Sequence, residues 1–436
     1  MAVLFAAIGG LLFDGVELGL MPVASLSVSQ SLLGDAYTPT LGGDWFARFT
    51  AALMFGAAIG GIFLGSLGDR IGRTRALGVS VLFYSVFAGL GAFVQTQEQM
   101  LVLRFMVGLG VGGVWPNAVA LAAECWPDKS RPIVAGLMGA ALNGGILMLS
   151  QIARTWHITP ESWRWIFQLA AAPAVLGLLV LFALPESPLW LAARSSRRQE
   201  APTSPSPSSG SKEQSLLMSA VTKQRQGSAA AGISPIRELL HPPLLRLLIM
   251  GILLGSIPMV GAWAASKWMI PWADKVGGAS AAGYKAVTQG WWALGAVLGS
   301  FCGAQIAAWL GRRRAYAIIS AGATVLTSLM FLGTAPLQAS FLPIVFAQGF
   351  VATLFFGWLP LYLPELFPTR VRAAGSGIAY NVGRFATALG VLIAGALFAA
   401  LGGSYPKVGA TCGLIYLLGL IAIWWAPDTS KKNLQE

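Results

Sequence analysis

The feature that most constrains this chain is a series of long apolar runs that recurs from one end to the other. Each run has about 20 residues, which in helical form is enough to cross the ~30 Å hydrocarbon core of a bilayer. Backbone groups that face lipid must be satisfied within their own segment, so we predict that the runs are helices. Only 11% of the residues are charged, against about 25% in a soluble domain. The chain is therefore predicted to be a membrane protein.

We predict an all-α membrane protein with twelve transmembrane helices, which places both termini on the same side. Of the 29 Lys and Arg residues, 19 fall in the loops and tails on that side. This bias places both termini in the cytoplasm, and the compact loops favour a bacterial inner cell membrane. The predicted spans are 3–28, 46–68, 76–95, 99–123, 132–153, 164–184, 244–272, 286–309, 315–335, 340–363, 373–400 and 406–426.

Several classes of function are excluded by what the sequence lacks. The net charge of +12 is explained by membrane topology, so no nucleic-acid partner is expected. Cys125, Cys302 and Cys412 are far apart and form no metal-binding spacing. The chain contains no G-x-x-x-x-G-K-[ST] loop for a nucleotide. We therefore predict that the protein is not an enzyme and has no catalytic residues, metal or cofactor.

The two halves of the chain carry the same charged motif. Residues 124–136 and 365–377 both read E-x-x-P-x-x-x-R-x-x-x-x-G, 241 residues apart, and 65–75 is echoed by 304–314. Echoes in the same order indicate internal duplication. Six spans in each copy keep both copies in the same orientation, so we predict two pseudo-symmetric six-helix halves.

Three regions are predicted along the chain. Residues 1–184 form the N-terminal half, and 241–436 form the C-terminal half with a short cytoplasmic tail. Residues 185–240 are rich in Ser, Pro and charge and cannot bury enough apolar surface to fold, so they are predicted to be a partly disordered cytoplasmic linker. Since one chain then holds a complete site, we expect a functional monomer.

Several segments resemble the major facilitator superfamily of transporters. GSLGDRIGRTR at 65–75 resembles the superfamily's loop between helices 2 and 3, and PESPLWL at 185–191 resembles the end of helix 6 in its sugar-porter and metabolite-symporter branches. Residues 104–126 and 364–384 most resemble proton-coupled organic-acid symporters. The resemblance covers nearly the whole chain, and it implies the twelve-helix fold of that superfamily and secondary active transport.

Candidate gating residues lie in the first of these loops. Gly65 and Gly72 permit a tight turn, and Asp69 can cap a helix end or pair with an arginine across the halves. With Arg70 and Arg73 on the cytoplasmic face, we predict a charge latch that holds the outward-open state. The other interpretation is that these charges only set topology.

The duplicated motif adds one acid and one arginine in each half. These are Glu124 with Arg131, and Glu365 with Arg372. We predict that they form an ion-pair network around the latch. The other interpretation is two pairs of solvated loop charges, worth about 0–1 kcal/mol each.

Two acids lie near the middle of the first span. Asp14 and Glu17 are three residues apart, so they are expected on one helix face. Ionisable groups inside a membrane are costly and default to function. We predict that both couple transport to protons, the alternative for Glu17 being a structural ion pair. Asp-Gly-Val-Glu also resembles the Asp-Gly-x-Asp of aromatic-acid symporters.

A candidate substrate anchor lies about 18 Å into the eleventh predicted span. Arg384 there has a planar fork that suits a carboxylate, and the repeat offset of 241 places Asn143 opposite it as a polar substrate contact. The alternatives are a static ion pair with a helix acid for Arg384 and an interhelical hydrogen bond for Asn143. Trp115, Asn117 and Tyr380 are further candidates for the substrate-binding wall.

Three other cations lie nearer the outer ends of their spans. Arg48, Arg104 and Lys267 are predicted to reach the membrane interface with their long side chains. The alternative is that they guide an anion inward.

On these grounds we predict a secondary active transporter that carries a small organic anion, a carboxylate, together with protons by alternating access. Its partners are then a small-molecule substrate, protons and membrane lipid. Three alternatives stay open: a sugar or polyol porter, which PESPLWL favours, an efflux antiporter, and a membrane receptor that kept the fold without transporting.

Overall fold

The structure is a computed structural model that describes residues 2–125, 131–187, 190–191, 235–368 and 371–430. Within these ranges every regular element is helical, and twelve helical stretches are long and apolar enough to cross a membrane. The predicted all-α fold with twelve transmembrane helices is confirmed. Most of the predicted linker lies outside the described residues, so the three domain boundaries stay predictions.

The N-terminal half contains six spans, of which the last is interrupted. They are α1 (Ala2–Leu33), α2 (Pro39–Ile71), α3 (Arg73–Leu90), α4 (Gln97–Cys125), α5 (Arg131–Thr155) and α6, which has two segments (Arg164–Ala170 and Pro173–Ala183). The break in α6 precedes Pro173, which has no backbone N–H to donate to the preceding turn.

The C-terminal half repeats the pattern, after a short helix at Pro235–Leu239. Its first span, α7, changes geometry along its length and continues past the predicted end at 272. The spans are α7 (Leu244–Val260, a π-helical turn at Gly261–Ala265, a 3-10 turn at Ser266–Trp268, and Met269–Gly277), α8 (Tyr284–Leu310), α9 (Arg312–Leu332), α10 (Phe341–Leu366), α11 (Arg372–Ala400) and α12 (Tyr405–Gly413 and Ile415–Ala422).

The duplication is visible in the backbone of two equivalent loops. Gly72 joins α2 to α3 with φ +111° and ψ 149°, and Gly311 joins α8 to α9 with φ +84° and ψ 153°. Side chains rarely tolerate a φ in this range, so both turns require glycine. The two loops share a turn even though Ala308 and Trp309 replace the Asp-Arg pair in the second.

Glycines let neighbouring helices touch through their backbones. A Cβ at Gly60 of α2 would meet the carbonyl oxygen of Leu109 on α4, and a Cβ at Gly299 of α8 would meet that of Phe350 on α10. Residues 108–113 belong to the first of these contacts, where their glycines let α4 approach α2 closely.

The two halves meet along α2 with α11 and along α5 with α8. We call the side of the bundle on which α1 begins and α12 ends the termini face, and the other side the opposite face. Between the halves, at mid-depth, the helices leave an internal cavity.

Candidate functional site

The internal cavity, here called the central cavity, has a volume of about 80 Å³ and takes its wall from both halves. It contains five of the predicted site residues, which the structure therefore brings together. The wall consists of Asp14, Leu18, Met54, Ala57, Val111, Trp115, Gly139, Leu142, Asn143 and Ile146 from the N-terminal half, and Met259, Ala262, Trp263, Lys267, Trp292, Phe356, Tyr380, Arg384 and Thr387 from the C-terminal half.

Asp14 presents a buried carboxyl group to this cavity. Its position is fixed because the next residue, Gly15, packs directly against the carbonyl group of Leu142 on α5. The side chain is 1% exposed, and its Oδ1 has no hydrogen-bond partner among the described residues. An ionised carboxylate in this setting costs several kcal/mol. Protonation removes that cost, so this carboxyl group is suited to take up and release a proton.

Arg384 reaches from α11 across to the other half. Its Nη1 donates to the carbonyl oxygens of Ala57 on α2, at 3.0 Å, and Gly112 on α4, at 3.3 Å. The approach depends on Gly61, where a Cβ would lie 3.3 Å from the same nitrogen. The guanidinium carbon also lies 5.2 Å from the ring centroid of Tyr380. A cation therefore stands on the cavity wall and holds the two halves together.

An aromatic pair separates the central cavity from a second space on its termini side. The rings of Trp115 on α4 and Tyr380 on α11 stack at 6.0 Å with an angle of 8°. Together with Arg384 they line both spaces. The second space, here called the vestibule, has a volume of about 210 Å³ and lies between α4, α10 and α11. Displacing the pair would join the vestibule to the cavity.

Asn143 combines both roles considered for it. Its side chain lies on the cavity wall, and its Nδ2 donates to Ser300 Oγ on α8 at 2.9 Å and to the Gly139 carbonyl at 3.0 Å. The residue thus faces the cavity and also makes an interhelical hydrogen bond between the halves.

Asn117 does not lie on the wall of the central cavity, and this corrects its predicted substrate contact. It is fully buried and donates to the carbonyl oxygens of Leu64, at 3.1 Å, and Gly113, at 2.8 Å. Two residues along an α-helix correspond to a turn of about 200°. Because Trp115 faces the cavity, Asn117 faces α2 instead.

Glu17 forms a buried ion pair with Arg104 of α4, and this corrects the predicted interfacial position of Arg104. The side chains are 1% and 0% exposed, and Glu17 does not lie on the cavity wall. Two opposite charges at the same depth neutralise one another inside the bundle, so neither has to reach the membrane surface. The geometry favours the structural alternative for Glu17.

The structure places Lys267 on the wall of the central cavity, where the sequence analysis did not predict it. It was predicted to reach the interface, but it is 1% exposed and lies on the cavity wall. Its Nζ lies 3.5 Å from the ring centroid of Trp292 and 5.6 Å from that of Trp263. The position is deeper than predicted because α7 continues to Gly277. Arg48, in contrast, is half-exposed and pairs with its neighbour on α2.

The loop between α2 and α3 is stabilised by an acid from the end of α6. Glu186 accepts from the backbone N–H groups of Thr74, at 2.8 Å, and Arg75, at 3.4 Å, where the first N–H groups of a helix need acceptors. A Cβ at Gly72 would collide with the same carboxylate. Glycine at position 72 therefore leaves the space that the carboxylate of Glu186, the acid of the PES motif, occupies.

In the C-terminal half, Glu365 binds the equivalent loop. Its carboxylate accepts from Arg312 at 3.0 and 2.6 Å, in the bidentate geometry that strengthens such pairs, and from Thr429 at 2.5 Å. The repeat did not predict either partner. Arg372 donates to the carbonyl oxygen of Phe367 at 3.4 Å.

The other predicted gating residues are only partly described. Gly65 faces Pro116 of α4 at 3.3 Å from its Cβ position, and Arg70 is exposed. Arg73 has Nη1 3.3 Å from the Cβ position of Gly68. The side chains of Asp69, Glu124 and Arg131 lie outside the described residues. The charge latch therefore stays a prediction.

The opposite face is closed by contacts between the halves. Lys285 of α8 donates to Asp274 and to Ser27 of α1, both at 3.0 Å. Beside it, the ring of Trp268 packs on Phe46 of α2 at 5.2 Å and on Phe398 at 4.9 Å. The vestibule lies on the other side of the central cavity, towards the termini face.

The family model described as "Sugar (and other) transporter" matches residues 2–436. The chain belongs to this family of the major facilitator superfamily. It is 30% identical to a cis,cis-muconate transport protein of Acinetobacter baylyi over 98% of this chain and 96% of that one. It is 28% identical to a gallate transporter of Pseudomonas putida over 94% and 88%. The proton:xylose symporter XylE of E. coli has the same fold, with a TM-score of 0.71, 17% identity and coverage of 100% and 98%.

This transporter is a multi-pass membrane protein and not an enzyme. Among the described residues, no group of three His, Cys, Asp or Glu side chains could hold a metal ion. The central cavity, with an acid on one half and cations on the other, is its candidate substrate site.

Proposed function

We propose that this transporter carries a small organic anion together with protons into the cell by alternating access. The observation that supports the proposal most directly is the pairing of Asp14 and Arg384 on one internal wall. Arg384 would bind a substrate carboxylate, and Asp14 would carry the proton. Each net positive charge that crosses with the substrate gains about 2.3 kcal/mol per 100 mV, enough to concentrate a substrate some tens-fold. The membrane potential therefore drives uptake only when more protons move than the anion has negative charges, and the pH gradient drives it otherwise.

The aromatic side chains of the cavity suit a flat, conjugated acid. Rings of Trp115, Trp263, Trp292, Phe356 and Tyr380 stand on the wall. Apolar and aromatic surface provides most of the contact in small-molecule sites, and a few polar groups fix orientation. The muconate and gallate named for two relatives are organic acids, which supports the same substrate class.

A sugar or polyol porter is the second candidate, since the fold is shared with a xylose symporter. The wall holds few neutral polar groups for many hydroxyls. Asn143 is engaged by Ser300 and Gly139, and Thr387 donates to its own helix at 2.8 Å. A sugar site needs polar side chains that are free to bind the hydroxyl groups of the sugar. The polar groups of this wall are already engaged, so the cavity favours an anion over a sugar.

The central cavity is smaller than the ~300–1,000 Å³ of typical small-molecule sites. We propose that substrate entry moves the Trp115–Tyr380 pair and releases Arg384 from the carbonyls of Ala57 and Gly112. The carboxylate of the substrate replaces those carbonyls as the partner of the guanidinium group. Binding thereby exchanges contacts between the halves for contacts with the substrate, which links occupancy to movement of the halves.

We further propose that the termini face is cytoplasmic, as the positive-inside bias indicates. Glu17 then supports the site through its pair with Arg104 rather than carrying the proton itself. The loops held by Glu186 and Glu365 lie on that face, where the latch is predicted. One chain contains both halves of the site, in line with a functional monomer.

The test is binding of a panel of acids and sugars to the purified protein, measured by calorimetry. We expect muconate, gallate or benzoate to bind and xylose not to bind. Arg384→Gln should weaken carboxylate binding about 10- to 100-fold, since a hydrogen bond to a charged group contributes about 1.5–3 kcal/mol.

Arg48→Gln is the matched control, because this arginine is half-exposed and distant from the cavity wall. It should bind carboxylates like the wild type. If xylose binds, no carboxylate does and Arg384→Gln changes nothing, the anion proposal is wrong and the sugar porter replaces it.

A further inference from the structure

We infer that the central cavity is built for a dianion, namely an unsaturated or aromatic dicarboxylate, with Lys267 receiving the second carboxylate. The inference rests on the proposed function and adds the charge of the substrate to it. Transport of an organic anion bound by Arg384 alone gives no role to Lys267, the buried cation on α7, and this inference assigns it one.

Lys267 is a buried ammonium group without a hydrogen-bond partner. Its side chain is 1% exposed, and no acceptor lies within hydrogen-bond distance of Nζ among the described residues. The ring faces of Trp292 and Trp263 lie close to it. A ring face offsets part of the cost of burying a cation, but much less than a carboxylate does. The group is therefore a vacant donor of up to three hydrogen bonds.

The support beneath Lys267 is rigid. Trp292 Nε1 donates to Gln348 Oε1 at 2.8 Å, and Gln348 Nε2 donates to Ser266 Oγ at 2.6 Å. Ser266 is the residue next to Lys267, so the network joins the ring to the backbone that carries the cation. Side chains fixed by such a second layer of contacts are typical of binding sites.

The backbone at this point is also irregular. A π-helical turn at Gly261–Ala265 is followed directly by the 3-10 turn at Ser266–Trp268. Such π-helical turns occur frequently at functional sites, because they change the direction of the side chains that follow. Here the irregular stretch carries both Trp263 and Lys267 on the cavity wall.

The charges on the wall favour two negative charges on the ligand. Lys267 and Arg384 are the cations of the wall, and Asp14 is its acid. With Asp14 protonated, as the proton-carrying step requires, the two cations together balance a dianion. A monoanion would leave Lys267 without a partner, as a costly buried charge or as a neutral amine that attracts no carboxylate.

The test compares ligands that differ only in the second carboxylate. Calorimetry on the purified full-length wild type would measure trans,trans-muconate against sorbate, which has a methyl group in its place, and terephthalate against 4-methylbenzoate. We expect each dicarboxylate to bind at least about tenfold more tightly than its partner, as one charge-assisted hydrogen bond supplies.

Lys267→Met should remove this ratio while leaving sorbate affinity within about twofold, and Lys267→Arg should keep the ratio. Lys275→Met is the control, because Lys275 is exposed and outside the central cavity. Equal or tighter binding of the monocarboxylates by the wild type would overturn this inference and leave the proposed function standing. Absence of binding for all four acids would overturn both. The comparison of ligands on the wild type needs no variant, so it still tests the preference for a dianion if Lys267→Met fails to fold.

Discussion

The buried pair of Glu17 and Arg104 provides a test that separates a structural role from proton coupling. The side chains are 1% and 0% exposed. Within the part of the chain that the structure describes, Arg104 Nε and Nη2 and Glu17 Oε2 have no further hydrogen-bond partners, so the pair depends on its single contact there. Glu17→Met leaves Arg104 as an uncompensated buried charge, which costs about 3–5 kcal/mol. Replacing both residues by Met removes both charges and should be close to neutral.

The assay is thermal unfolding of the purified protein with a double-mutant cycle. We expect each single Met variant to lower the apparent melting temperature by about 5–10 °C, and the double variant to recover most of that loss. Asp44→Asn breaks the exposed pair with Arg48, which is 47% and 29% exposed. As the matched control, this substitution should lower the free energy of unfolding by at most about 1 kcal/mol.

The double Met variant also decides the role of Glu17 in transport. If Glu17 is structural, this variant should still accumulate substrate when a pH gradient is applied to liposomes. The structural account fails if the double variant is stable and binds substrate, yet accumulates none in response to the gradient. If the double variant is as unstable as the single variants, the two charges do not neutralise each other and this account of the pair is wrong.

Three further predictions follow from particular contacts. Gly61→Ala should weaken carboxylate binding severalfold by calorimetry, because its methyl group would collide with Asn381 Oδ1 and lie 3.3 Å from Arg384 Nη1, so both side chains on α11 would have to shift. Gly144→Ala, which meets open space, should not. Asp274→Asn should favour opening of the opposite face, since it weakens the pair at 3.0 Å that positions Lys285 for its hydrogen bond to Ser27 of the other half. The measurement is the rate at which an impermeant maleimide, added from that side, labels a cysteine engineered into the central cavity. This rate should rise in Asp274→Asn and stay unchanged in the control Lys275→Gln. Glu186→Ala should lower the free energy of unfolding by about 1 kcal/mol, because the Thr74 amide loses the carboxylate to which it donates at 2.8 Å. Hydrogen exchange of that amide should become faster, and unchanged exchange would contradict the capping role.

The fold and the centre of the site could be predicted from the sequence because charge is rare inside a membrane. Apolar run length gave the twelve spans. Asp14 and Arg384 stood out as ionisable groups far from any predicted end, and both lie on the cavity wall. The internal repeat then placed Asn143 on the same wall, since duplicated halves position equivalent residues on either side of the axis between them.

The remaining assignments depended on details that apolar run length does not carry. Lys267 seemed close to the end of a span, whereas α7 continues through two irregular turns to Gly277. Arg104 seemed free to reach the interface, but its partner Glu17 lies 87 residues away along the chain. Asn117 required the rotation of α4 to be known, because a two-residue step changes the face of a helix.

The loops illustrate the same limit. The glycine positions of the first loop could be predicted, but their reason is the carboxylate of Glu186 at the end of α6. In the second half, Arg312 pairs with Glu365 through contacts that no local motif contains. Such pairings depend on tertiary structure, which single-sequence patterns specify only through the repeat.

The central claim is that Asp14 couples a proton to the movement of an organic anion bound at Arg384. The most direct measurement compares two assays on liposomes that contain the wild type or Asp14→Asn, with an acid shown to bind. Exchange of labelled for unlabelled substrate requires no net proton movement, whereas accumulation against a gradient does. The account predicts that Asp14→Asn keeps exchange and loses accumulation driven by pH. Accumulation by Asp14→Asn at the wild-type level would contradict it.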